Sequence, residues 1–128
     1  MKNKYQSPWF VEALQAEGEL KINKLNTNII TDICIVGGGF TGLWTALKIK
    51  EKDSSIDITI IEKDLCGSGA SGRNGGCMIP QSTKFTAMKN TIGVDDAKKM
   101  VSATEDAVYN IRDYCLQNNI DEIGRAHV

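Results

Sequence analysis

Ile33-Cys34-Ile35-Val36-Gly37-Gly38-Gly39-Phe40-Thr41-Gly42, with Asp57-Ile58-Thr59-Ile60-Ile61-Glu62 behind it, is the stretch on which the fold turns. The run Ile29–Val36 is β-branched, apolar on both faces and ends in glycines, the pattern of a buried strand in a parallel sheet. Phe40–Glu51 carries Leu43, Ala46, Leu47 and Ile49 at helical spacing. Lys52-Asp53-Ser54-Ser55 is a polar turn, and Asp57–Glu62 reads as a second strand. Strand, helix and strand within about thirty residues make a βαβ unit, so the class is α/β with a parallel sheet.

Gly37-Gly38-Gly39-Phe40-Thr41-Gly42 fits GxGxxG, a weak signal alone but a strong one between a strand and a helix. Each glycine has a physical task. Gly37 permits the tight turn off the strand, Gly39 lets a pyrophosphate approach the backbone, and Gly42 lets the helix pack closely on the strand. The helix N-terminus offers N–H groups and partial positive charge to a diphosphate. Glu62 ends the second strand, about twenty residues past Gly42, where a carboxylate accepts hydrogen bonds from ribose hydroxyls. A carboxylate there repels a 2′-phosphate. The unit is thus Rossmann-like and dinucleotide-binding, and by itself leaves FAD and NAD both open.

Lys63–Ile79 holds five glycines in seventeen residues, which excludes an ordinary helix or strand. Gly67, Gly69, Gly72, Gly75 and Gly76 let the backbone run flush against a flat ligand, and Ser71, Arg73 and Asn74 supply donors. An NAD-binding fold usually returns sooner to helix and strand, so this loop favours FAD. Residues 1–30 are expected to be an N-terminal arm in which Pro8-Trp9-Phe10-Val11 is an aromatic anchor and Gly18 a helix break. Val94–Asn119 is expected to be a long helix with Ala97, Val101, Thr104, Val108, Ile111 and Cys115 on one face, Asp95 as N-cap and Asn118-Asn119 as stop. The 128 residues are 41% apolar and 24% charged with net charge −1, which argues against a nucleic-acid surface. No apolar run is long enough to span a bilayer, and none of signal-peptide length follows the N-terminal lysines, so a cytoplasmic location is expected. Four scattered cysteines and one histidine make a metal site unexpected; the cysteines read as reduced thiols.

DICIVGGGFTGLWTALKIK (32–50), IIEKD (60–64) and GSGASGRNGG (67–76) together resemble the N-terminal signature of the D-amino-acid oxidase and glycine oxidase family, and within it the γ-glutamylputrescine oxidase-like flavoproteins. The Pro8-Trp9 pair and the helix ending near Asp121 extend the likeness over residues 7–121. The resemblance implies FAD. It implies that Gly37, Gly39, Phe40, Thr41 and Gly42 wrap the pyrophosphate, that Glu62 holds the adenosine ribose, and that Lys63 sits by the adenine. It implies that Ala70, Ser71, Arg73, Asn74, Gly75 and Gly76 run along the ribityl chain toward the isoalloxazine ring. Cys77 departs from the polar residue often found there, and a buried thiol is expected rather than a covalent flavin link.

By the same resemblance the activity is oxidation of an amine or amino acid: hydride passes from the C–N carbon to FAD and the imine hydrolyses. The partners are then a small-molecule amine or amino acid and dioxygen or another electron acceptor. No catalytic acid, base or nucleophile is expected within these residues. The family is made of much longer chains, so the sheet is expected to be incomplete and the chain alone to bind FAD weakly or not at all and to be inactive. The expected organisation is an arm at 1–30, the βαβ unit and flavin loop at 31–79, and a helical continuation at 80–121. The closing EIGRAHV (122–128) reads as a non-native tail, which strips His127 of functional weight. Two other readings stand beside the leading one: an NAD-binding dehydrogenase domain, and a dinucleotide-sensing module without chemistry.

Overall fold

The computed structural model describes residues 7–18 and 22–120. The chain divides into two compact units, 1–75 and 76–128. Residues 122–128, with the expected tail and His127, lie outside the described residues.

The first unit is built on a parallel pair, β1 (Ile33–Val36) and β2 (Ile58–Ile61), in the register Ile33 to Ile58 through Val36 to Ile61. The ladder runs one residue past each end: Ile33 N–H donates to the Asp57 carbonyl (3.1 Å) and Gly37 N–H to the Ile61 carbonyl (2.8 Å). Both strands are shorter than the β-branched runs that contain them. Before β1 the chain is tied by side chains instead: the Thr31 hydroxyl donates to the Asp57 carbonyl (3.1 Å), and Asp32 Oδ2 accepts from Asp57 N–H (2.8 Å). Ile30 is 99% exposed.

The crossover is α2 (Phe40–Lys52), one residue longer than the apolar stripe suggests. Its last turn carries Lys50 and Lys52, the favoured sign at a helix C-terminus. It closes on Asp53, whose Oδ1 accepts from both the N–H (2.9 Å) and the hydroxyl (2.6 Å) of Ser55. The Ser55 hydroxyl, then its N–H, hold the Asp53 carboxyl below its ordinary value. The helix packs on the Ile33 and Ile35 face of β1, because a Cβ on Gly42 would lie 3.2 Å from Ile35 Cγ2. Among the described residues the other face is uncovered. Cys34 and Val36 are exposed there, so the expectation of a strand buried on both sides does not hold for these residues.

Within the expected arm the described residues include one helix. Ser7 caps α1 (Pro8–Glu17) by accepting the Phe10 N–H at 3.2 Å, Pro8 occupies the first turn where its missing N–H costs nothing, and Gly18 closes the helix at φ +74°. Of the expected aromatic anchor, Phe10 is half-buried and Trp9 is 56% exposed. The glycine loop after β2 contains no α-helix or strand, only a 3-10 turn at Ala70–Gly72.

The second unit has a 3-10 turn at Gln81–Lys84, then α3 (Phe85–Ile92) and α4 (Val94–Gln117), which pack on each other. Phe85 and Met88 are half-buried, and α3 is too short for its pattern to stand out in the sequence. On α4 the expected stripe faces inward: Ala97 and Val108 are buried, and Val101, Thr104, Ile111 and Cys115 half-buried. The N-cap is Gly93, not Asp95. Gly93 also closes α3, and its φ of +86° lets one residue turn the chain between the two helices. Asp95 and Asp96 sit in the first turn, favoured there by the helix dipole. The helix stops at Asn118, and Asn119 takes φ +52°. Cys77 is exposed, against the expectation of burial, and all four cysteines are thiols. Among the described residues no helix is long and apolar enough to cross a membrane.

The closest approach in the first unit is at Gly42, where a Cβ would meet the Gly37 carbonyl oxygen at 2.1 Å. Gly42→Ala must therefore push α2 off β1. We expect it to lower the unfolding free energy by about 1–3 kcal/mol, measured by urea denaturation of the full-length gene product.

Candidate functional site

Where β1 ends, the backbone turns at Gly37 with φ +109°, a conformation that L side chains rarely adopt. The next residue, Gly38, is buried, and its N–H donates to Glu62 Oε2 at 2.8 Å. Glu62 Oε1 accepts from Asp64 N–H at 3.1 Å. The carboxylate at the tip of β2 thus ties the glycine turn to the start of the loop. A carboxylate has about four acceptor positions, so the bonds from Gly38 and Asp64 do not exhaust it.

The loop folds back on the same turn. Gly67 N–H donates to the Gly38 carbonyl at 2.9 Å, and a Cβ on Gly38 would strike Cys66 Sγ at 2.4 Å. The Ser71 hydroxyl accepts the Phe40 N–H at 2.8 Å, at the first residue of α2. A Cβ on Gly39 would come within 2.9 Å of that hydroxyl. The helix N-terminus, expected to present its N–H groups to a ligand, therefore already has one of them held by a loop side chain.

Between turn and loop lies an open cavity of ≈ 410 Å³, within the range of small-molecule sites. Of the residues expected to bind a cofactor, Gly39, Glu62, Lys63, Ala70, Ser71 and Arg73 line it. Gly37, Phe40, Thr41 and Gly42 build the turn and helix start beside it. Asn74 braces the loop, its amide donating to the Ser71 carbonyl at 2.6 Å. Gly75 ends the first unit, and Gly76, at φ +73°, begins the second. The cavity is also lined by Asp64, Gly67, Ser68 and Gly69, which are not among the expected site residues. A signal for them is present in the sequence. Gly67-Ser68-Gly69-Ala70-Ser71-Gly72 repeats the GxGxxG spacing of Gly37–Gly42. The two turns share a shape: Gly67 also has positive φ, and a Cβ on Gly72 would meet the Gly67 carbonyl at 2.3 Å. Among the described residues no three His, Cys, Asp or Glu side chains come together as a metal site.

The Gly38 N–H, then the Asp64 N–H, hold the Glu62 carboxyl below its ordinary value. A depressed carboxyl makes its contribution above the ordinary glutamate range and loses it as pH falls through the lowered value. We expect the Gly38 amide proton, followed by NMR, to titrate with a midpoint below the ordinary glutamate value. In Glu62→Gln that acid-side titration should vanish.

The geometry agrees with the comparisons to known proteins. The family model described as DAO, FAD dependent oxidoreductase, matches residues 32–126. The chain is 34% identical over 110 residues to the gamma-glutamylputrescine oxidoreductase of Escherichia coli, covering 85% of this chain and 25% of that protein. It is 32% identical over 91 residues to the "Probable oxidoreductase OrdL" of Rhizobium meliloti, covering 70% of this chain and 21% of that one. A protein of the same name from Haemophilus influenzae is 44% identical over 48 residues, covering 38% of this chain and 11% of that one. The chain thus spans about a quarter or less of the length of these curated relatives. No solved structure matches significantly. The matched region takes in both glycine turns, Glu62 and the cavity between them, and the chain belongs to the DAO family of FAD-dependent oxidoreductases.

Proposed function

We propose that this chain is the N-terminal FAD-binding portion of an enzyme that oxidises an amine or amino acid, and that its cavity takes the adenosine diphosphate half of FAD. The observation that carries the reading is the place of Glu62 on the cavity that residues of both glycine turns line. Glu62 keeps acceptor capacity for the ribose hydroxyls while its bonds to Gly38 and Asp64 hold it ionised. Gly39 has no side chain, so a diphosphate can approach the start of α2, and the Phe40 N–H with the Ser71 hydroxyl marks where its oxygens bind. Arg73 brings positive charge to the same cavity, and Lys63 lies beside Glu62 for the adenine edge. Asn74, Gly75 and Gly76 continue the loop toward the flavin ring.

FAD, when bound, supplies the acceptor for a hydride from the carbon next to nitrogen, and the imine product hydrolyses in water. The residues of this chain hold and orient the cofactor; the substrate-selecting groups belong to the rest of the protein. The amine assignment draws support from the E. coli relative, whose name specifies gamma-glutamylputrescine. The electron acceptor is dioxygen or another oxidant, and the location is cytoplasmic. The membership in an FAD-dependent family supports this reading over the NAD-dehydrogenase and sensing-module alternatives.

The test uses the full-length gene product. Mixed anaerobically with a panel of amines and amino acids, it should bleach its bound-flavin absorption with at least one of them. Bleaching by none of the panel overturns the amine reading. Glu62→Ala and Gly39→Val should each purify without flavin; unchanged flavin content in both overturns the site.

A further inference from the structure

Helix α1 meets the glycine loop through two side chains. The Ser7 hydroxyl accepts the Phe10 N–H at 3.2 Å and uses its single donor on the Gly72 carbonyl. The Phe10 ring lies over the loop backbone: a Cβ on Gly72 would be 3.2 Å from Cδ2, and one on Gly67 3.6 Å from Cε2. Neighbouring Trp9 and Glu12 are exposed. Ser7 and Phe10 thus grip the two ends of Gly67–Gly72, whereas Gly67, Ser68, Gly69, Ala70 and Ser71 line the cavity. Neither Ser7 nor Phe10 lines it.

We propose that α1 is a brace for the FAD site, and that Ser7 and Phe10 are positioning residues that set FAD affinity by holding Gly67 and Gly72. The idea rests on the loop being an FAD contact, as proposed above. Its physical reason is entropy. A segment with three glycines in six residues has many conformations to lose on meeting a ligand. A brace that removes them beforehand lowers the cost of binding. The grip needs a bare glycine at position 72, because a Cβ there would strike the Gly67 carbonyl at 2.3 Å and crowd the ring at 3.2 Å.

The experiment is FAD titration of the flavin-stripped full-length protein by fluorescence quenching, with thermal unfolding of each apo-protein alongside. Ser7→Thr keeps the helix cap and the donor. Ser7→Asp keeps the cap but, ionised, cannot donate to Gly72. We expect Ser7→Asp and Phe10→Ala each to raise the Kd for FAD about tenfold. Ser7→Thr and the exposed control Glu12→Ala should match the parent. If Phe10→Ala does not fold, the contrast between Ser7→Asp and Ser7→Thr decides. Equal Kd for those two overturns the brace. If that equality comes with flavin loss in Glu62→Ala, the brace alone fails and the site stands. If Glu62→Ala also binds FAD as the parent does, the site assignment itself has failed.

Discussion

The approach of α2 to the end of β1 is the constraint on which the rest of the first unit depends. A side chain at Gly42 would lie 2.1 Å from the Gly37 carbonyl, so the helix reaches this position only because residue 42 carries a hydrogen there. That contact brings the helix start beside the turn, with Gly38 pointing its N–H toward the tip of β2. Glu62 stands at that tip and accepts it at 2.8 Å. Were the helix pushed outward, the turn would open and the carboxylate would lose the first of the backbone donors that lower it.

The same device is used a second time, thirty residues later. Gly67–Gly72 folds with a positive φ at its first glycine and a bare glycine against that residue's carbonyl. The two turns differ in the residues that come after them. After Gly42 the apolar stripe carries α2 on for thirteen residues in all. After Gly72 the chain meets Arg73-Asn74-Gly75-Gly76, which has no apolar face to bury, and only a 3-10 turn forms. The two turns are joined directly, by Gly67 to Gly38 and by Ser71 to Phe40. The cavity lies between them, and the turns that frame it close on Gly38, Gly42 and Gly72, where a Cβ would collide with a neighbour.

Such a loop is costly to order, and the amino-acid order alone holds little hint of how the cost is met. Pro8-Trp9-Phe10 reads as an anchor for some larger body. In the structure Phe10 rests on Gly67 and Gly72 of its own unit, while Trp9 stays largely exposed. Nothing in the spacing of residues 7–18 could name that partner, because the contact joins segments about sixty residues apart in sequence. The same limit hides Ser71 as the group on the Phe40 N–H. A serine in a glycine loop has many donors within reach on paper, and only the folded path selects one.

What the sequence determined by itself were the features set by local periodicity and by backbone permission. The turn at Gly37, the inward stripe from Ala97 to Cys115 and the stop at Asn118-Asn119 are set by neighbours a few residues apart, and the parallel pairing follows from the strand, helix, strand order. Together with Glu62 and Gly69–Gly76 they pointed to an FAD-dependent family, which the comparisons bear out. The tertiary structure decided the rest. It shortened β1 to Ile33–Val36, because strand length depends on where the partner strand begins pairing. It placed the α4 cap at Gly93, because α3 ends there and one left-handed residue must serve both helices. It also made Asp64 and Ser68 part of the cavity wall, since which loop residues face a ligand is set by how the loop is folded back and held.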